Sequence, residues 1–270
     1  VHTFDIKSKV TRKINVPVEA DGYIPRIRFT KDPDKLAIMT LNRHQNRFDM
    51  YFANPRSTVA KLALRDESDT YISEDVFDNI VFYPENFSFV SEKSGYKHLY
   101  WYSIGGNLLK QVTSGEYEVR KFLGYDAEEG SFYFSRNEES PMRTAIYKTD
   151  RKGKKIKLSA QSGTNSAQFS ANMKYYMNRY SALDTPTVIT LNDNTGKALA
   201  TLMDNAALKQ EIAKYDMPRK EFFTFRTTDG TALNGWMMKP TGFSAGKKYP
   251  VLLYQYSGPG SQQVTDRFSV

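Results

Sequence analysis

The residues best suited to chemistry stand near the end of this 270-residue chain. The run YQYSGPGSQQ at 254–263 carries two phenols, Tyr254 and Tyr256, two residues apart on one strand face, and a hydroxyl, Ser261. A phenol is a neutral hydrogen-bond donor at pH 7. A serine hydroxyl attacks only when a base activates it and a sharp turn exposes it; Ser261 lacks the strand-turn-helix elbow and any nearby histidine, and reads as a turn residue. No G-x-S-x-G occurs anywhere in the sequence. The paired carboxylates Asp32 and Asp34, and Glu128 and Glu129, fall in turns and read as solvated rather than as an acid and base pair. Imidazole is limited to His2, His44 and His98, with no H-x-E or H-E-x-x-H spacing, and there are no cysteines. Neither a metal site, a disulfide nor a bound cofactor is expected.

The tyrosines need an element to aim them. Tyr249, Pro250, Val251, Leu252 and Leu253 lead into them, and the continuous apolar run from Val251 to Tyr254 suits a strand buried on both faces of a parallel sheet. Ser257, Gly258, Pro259 and Gly260 must break that strand, because proline withholds a ladder donor and glycine permits a sharp turn. An apolar strand ending in an exposed loop is where α/β enzymes keep their chemistry. One wall of an active site is therefore expected here, without its nucleophile.

Upstream, the composition favours β structure. Tyr and Phe total 35, many in alternating patterns such as SFYFS at 131–135, which suits pleated, half-buried surfaces. Between residues 20 and 205 a loose unit repeats. Its third strands begin at Met50, Tyr100, Tyr147 and Val188, spaced by 50, 47 and 41 residues. Second strands precede them at 36–42, 87–93, 131–137 and 175–181; fourth strands follow at 58–64, 108–113, 155–159 and 198–203. Four such four-stranded antiparallel sheets are the pattern of β-propeller blades. A β-sandwich is the competing arrangement. Turn words at one place in the unit, SEKSG at 91–95 and SRNEES at 135–140, favour blades.

The net charge of +8 is uneven, with 13 Lys and Arg against 6 Asp and Glu over residues 1–65, and 25 against 24 beyond. Those cations alternate with apolar residues and acids, as on a solvated strand face, so no nucleic-acid partner is expected. The run RKGKKIK at 151–157 reads as a hairpin tip around Gly153 rather than a phosphate clamp. No apolar run approaches the roughly 20 residues of a membrane-spanning helix. The start at Val1 and the stop at Val270 suggest a piece of a longer protein, whose compartment its own termini do not give.

After Met203 the character changes. DNAALKQEIAKY at 204–215 sets Leu208, Ile212 and Tyr215 on one helical face, with Asp204 or Asn205 as N-cap, and Met217 and Pro218 end the helix. Residues 222–240 read as two strands across an Asp229-Gly230 turn. The expected division is blades over 1–203, a helical connector over 204–218, and the start of a second domain over 219–270.

Five stretches resemble, in family order, the dipeptidyl peptidase IV branch of the prolyl oligopeptidase family, in a bacterial form. They are DGYIPRIRFT at 21–30, SEKSGYKHLYWY at 91–102, the helix with Met-Pro at 204–218, TDGTALNGWMMKP at 228–240, and KKYPVLLYQYSGPGSQ at 247–262. The resemblance implies about four β-propeller blades, part of a larger and eight-bladed propeller, followed by the first strands of an α/β-hydrolase domain. It implies a serine peptidase parent that releases N-terminal dipeptides, of the Xaa-Pro type, from proline-containing peptides, and is a homodimer in one expectation. An extracytoplasmic parent, periplasmic or secreted, is favoured. The glutamates that hold the substrate amine would lie upstream of this stretch, and the catalytic Ser, Asp and His downstream. Tyr256 matches the family's Tyr, small residue, Gly, Pro motif, which makes it the oxyanion donor, with Tyr254 its local rival. The alternative is a propeller serving as a protein-binding scaffold with a degenerate hydrolase domain. Residues 222–262 favour the peptidase, since a scaffold has no use for a buried strand with such a turn.

Overall fold

The computed structural model describes residues 1–256, 258 and 260–269. The chain divides after Phe122 into two compact units.

The first unit opens with a hairpin that the repeat analysis did not include, β1 (His2–Asp5) against β2 (Val10–Lys13). A four-stranded antiparallel sheet follows, with neighbours in chain order: β3 (Tyr23–Phe29), β4 (Leu36–Leu41), β5 (Arg47–Ala53) and β6 (Ala60–Glu67). A short helix, α1 (Asp75–Asp78), leads to a second such sheet made of β7 (Val81–Phe82), β8 (Asn86–Ser91), β9 (His98–Ser103) and β10 (Leu108–Gln111). Antiparallel sheets commonly keep one face in water. Here every residue of β4 is buried, as is all but the first of β8 and all but the last of β9, so the middle strands are covered on both faces. The cover is aromatic. Phe48 stacks on Phe77 at 5.2 Å and on Phe89 at 5.6 Å between ring centroids, while Phe52 meets Phe82 and Phe87 edge-on.

The third set of strands begins with β11 (Val119–Asp126), which runs through the division, and continues with β12 (Ser131–Glu138), β13 (Ser140–Thr149) and β14 (Lys155–Lys157). The fourth is β15 (Thr164–Phe169), β16 (Tyr175–Ala182), β17 (Thr185–Asp193) and β18 (Ala198–Met203). Tyr133, Ile146, Leu158, Met173 and Tyr176 form the core of this unit. The MYFAN and YWYSI strands lie in different sheets, as blades require. The last two sheets, however, are joined. Thr144 of β13 pairs in parallel with Thr164 of β15, and the Thr144 N–H donates to the Gly163 carbonyl at 2.9 Å. Strand β13 thus borders β12, β14 and β15. The tip between β13 and β14 is the turn expected at Gly153, which takes φ +85° while its N–H donates to Asp150 O at 3.0 Å.

Beyond Met203, α2 covers only Ala206–Ile212 and buries none of its residues, which shortens the helix expected over 204–215. Asn205, in the left-handed region at φ +52°, makes no side-chain cap and instead donates to Thr187 O; Asp204 Oδ1 accepts the Ala206 N–H at 3.0 Å. The chain leaves the helix before Met217, and Leu208 and Tyr215 stay exposed. The hairpin expected around Asp229 and Gly230 forms, with β19 (Lys220–Arg226) paired to β20 (Ala232–Met238) and Gly230 at φ +87°. Among the described residues, no helix is long and apolar enough to cross a membrane.

A candidate oxyanion loop and its anchor

The run leading to the tyrosines forms no strand. Val251, Leu252 and Leu253 are exposed, Leu252 to 96%. This corrects the expectation of a strand buried on both faces. A single apolar segment has no ladder of its own, and no strand among the described residues pairs with it. Tyr249 is the exception in this stretch: its ring stacks on Phe243 at 5.1 Å, and its hydroxyl accepts the Ser244 N–H at 3.0 Å.

Tyr254 and Tyr256 are 68% and 60% exposed. The Tyr256 ring folds over Gly258, where a Cβ would come within 2.7 Å of the phenol oxygen. The glycine in the motif therefore makes room for the ring as well as turning the chain. Among the described residues no hydrogen bond holds the Tyr256 hydroxyl, and the phenol is exposed. Ser257 and Pro259, which the sequence reading gave to the turn, lie outside the described residues. The turn itself closes with the Ser261 N–H donating to Gly258 O at 3.2 Å and Gly260 at φ +67°. The Ser261 Oγ accepts from Gln263 Nε2 at 2.6 Å. It serves the loop, and among the described residues no base hydrogen-bonds to it.

Ten residues beyond Tyr256 the chain is anchored. Asp266, only 5% exposed, has every polar group engaged. Its Oδ2 accepts from Arg143 Nε at 2.8 Å and its Oδ1 from the Leu183 N–H at 2.9 Å. Its N–H donates to Met142 O at 2.9 Å, and its carbonyl accepts from Thr164 Oγ1 at 2.8 Å. Phe268 adds an N–H to Ser181 Oγ at 3.0 Å. Arg143 is held at its other end by Glu139, 2.6 Å from Nη1, and Glu139 also accepts from Ser162 Oγ at 2.8 Å. The Arg143 guanidinium is pushed further into its charged form, chiefly by the hydrogen bond to Asp266. Sequence reasoning missed this anchor, because Arg143 and Asp266 are 123 residues apart and neither sits in a recognisable local pattern.

The other carboxylates divide. Asp32 is the solvated turn residue expected, its carboxyl drawn below the usual range mainly by Lys35 at 2.8 Å, and Asp34 N–H donates to its Oδ1. Glu128 is exposed, but Glu129 is not merely solvated: it accepts from Asn194 Nδ2 at 3.0 Å and faces Lys148 and Lys174 at 3.4 and 3.7 Å. Among the described residues no group of His, Asp and Glu could hold a metal ion.

Residues 1–187 match the family model described as dipeptidyl peptidase IV (DPP IV) N-terminal region. The chain belongs to that family. The match begins at the first hairpin, earlier than the motif near Tyr23, and the DPP IV N-terminal region is a β-propeller, so the four-stranded sheets are its blades. A probable dipeptidyl peptidase 4 of Aspergillus flavus is 33% identical over 189 residues, covering 66% of this chain and 24% of the relative. Dipeptidyl peptidase 4 of Trichophyton rubrum is 28% identical over 249 residues, 87% of this chain and 32% of that protein. Among solved structures, the crystal structure of Porphyromonas gingivalis dipeptidyl peptidase 4 superimposes with a TM-score of 0.94 at 45% identity, over 100% of this chain and 38% of that one. A putative dipeptidyl aminopeptidase IV from Bacteroides ovatus follows at 0.84 and 26%, over 98% of this chain and 40% of that one. The chain thus spans a quarter to a third of the two curated relatives.

Proposed function

We propose that the chain is part of a serine exopeptidase that releases N-terminal dipeptides, of the Xaa-Pro type, from peptides. Residues 1–203 are propeller blades that gate and position the substrate, 204–218 connect, and 219–270 begin an α/β-hydrolase domain. What supports this reading most is the likeness over the full chain to the P. gingivalis dipeptidyl peptidase 4, with the TM-score of 0.94, together with the free phenol of Tyr256 on its glycine turn. In the reaction a serine hydroxyl adds to the scissile carbonyl, and the carbonyl oxygen becomes an oxyanion. Tyr256 donates its proton in a hydrogen bond to that oxygen, a contact made only as charge develops. The run 249–254 becomes a buried strand once the parent supplies sheet neighbours. The parent acts as a homodimer.

These 270 residues contain no nucleophile elbow, so the isolated chain releases no product from a glycyl-prolyl chromogenic substrate above background. The full-length parent turns the same substrate over. A purified parent without turnover, and without a G-x-S-x-G followed by Asp and His, would make the propeller a binding scaffold instead.

A further inference from the structure

Resting on the peptidase reading, we infer that Arg143 and Asp266 are positioning residues through which the propeller sets the aim of Tyr256. The oxyanion donor sits on a loop with two ends. The upstream end is the run 249–254, which takes its fixed place only with sheet neighbours. The downstream end is fixed already. Asp266 uses both carboxylate oxygens, its N–H and its carbonyl on Arg143, Leu183, Met142 and Thr164, all of the last two blades.

Asp266 follows Tyr256 by ten residues, and the described part of that span is internally braced. Gly258 to Ser261 closes a turn, Gln263 Nε2 donates to Ser261 Oγ at 2.6 Å, and Gln262 Nε2 donates to Val264 O at 2.8 Å. Through this braced run, from Gly258 to Val264, a shift at Asp266 is carried toward the phenol. Reacting groups tolerate little of this: a displacement of about 1 Å can cost on the order of 100-fold in rate. The relay does not end at the ion pair. Glu139, itself held by Ser162 Oγ, fixes the far side of the guanidinium, so the chain Ser162, Glu139, Arg143, Asp266 runs from the fourth-blade entry to the loop.

This role is separable from simple adhesion. A residue that merely glues the loop down affects stability, and its effect multiplies with that of any other variant. A residue that acts through Tyr256 has nothing left to disturb once the phenol is gone.

The test uses the full-length parent with a glycyl-prolyl chromogenic substrate. Arg143→Ala and Asp266→Asn are expected to lower kcat about 10- to 100-fold with KM within about 2-fold of wild type, and Arg143→Lys, which keeps the charge and one donor, to recover part of the loss. In the Tyr256→Phe background Arg143→Ala is expected to cost less than about 2-fold more. Ser181→Ala, which removes the acceptor of the Phe268 N–H together with a donor to the Thr185 carbonyl, gives a smaller kcat loss of the same kind where Arg143→Ala yields too little folded enzyme. An active wild-type parent whose variants keep kcat, or whose losses multiply with that of Tyr256→Phe, overturns the inference alone. A wild-type parent without turnover overturns the peptidase reading and this inference with it.

Discussion

The Ser91 hydroxyl lies 2.9 and 2.8 Å from the two carboxylate oxygens of Asp66, and both residues are buried. One hydroxyl has one proton, so it can satisfy only one of those oxygens at a time. Burial pushes the Asp66 carboxyl up, and Ser91 and Lys93 pull it back only in part. A carboxyl whose folded pKa is raised contributes stability that is complete below its unfolded value, about 3.9, and lost as pH rises through the folded one. At pH 7 the charged Asp66 is therefore a net cost. Asp66→Asn, which keeps the acceptor for Ser91, is expected to raise Tm at pH 7, with the difference closing towards pH 4. Thermal melts across that range check it; a variant less stable than wild type at pH 7 contradicts the burial argument.

In the parent enzyme, Tyr256→Phe removes one donor and little volume. Its loss belongs in kcat, about 100- to 1,000-fold, with KM nearly unchanged, because the oxyanion exists only near the transition state. Tyr254→Phe serves as the control and keeps the rate. Steady-state kinetics on both variants decide between the two phenols.

Phe48 is fully buried between the rings of Phe77 and Phe89. Phe48→Ala leaves a cavity lined by side chains that cannot close it, at a cost of about 3 to 5 kcal/mol. Urea unfolding of the 270-residue chain measures it as a lower midpoint. A change under about 1 kcal/mol means the first unit repacks.

Gly163 takes φ +144°, and a Cβ there would stand 2.6 Å from the Ser181 carbonyl and 3.0 Å from the Tyr180 ring. Gly163→Ala is strained twice, by backbone and by space, and is expected to cost about 1 to 3 kcal/mol while opening the Thr144 and Thr164 pair. Hydrogen exchange at the Thr144 amide, which donates to Gly163 O, reports the opening directly.

The blades were legible because their signal is local and repeated. Alternation and turn residues placed β4, β8 and β12 within two residues at each end, and the Asp229-Gly230 hairpin followed from two adjacent residues. What sequence could not supply depends on partners far along the chain. The helix stripe of Leu208, Ile212 and Tyr215 has amphipathic spacing, which says only that a face could be covered, and α2 buries none of its residues. Val251 to Tyr254 has the composition of a buried strand and no ladder to join. The Tyr256 turn could be read from its glycines; the Asp266 anchor could not, since a lone aspartate and a lone arginine give no pattern until the fold brings them together.

The stitch between Thr144 and Thr164 also bears on how the chain behaves in crowded solution. An open strand edge recruits foreign strands, and proteins suppress this by pairing, covering or charging it. At Thr164 the edge of β15 is already taken by β13, so an intruding chain must first displace a native bond. Strand β18 has no such protection, with all six residues exposed and Leu199 and Leu202 among them. In concentrated preparations of this chain, a lysine at Leu199 or Leu202 is expected to lower association through that outer strand, as read by light scattering.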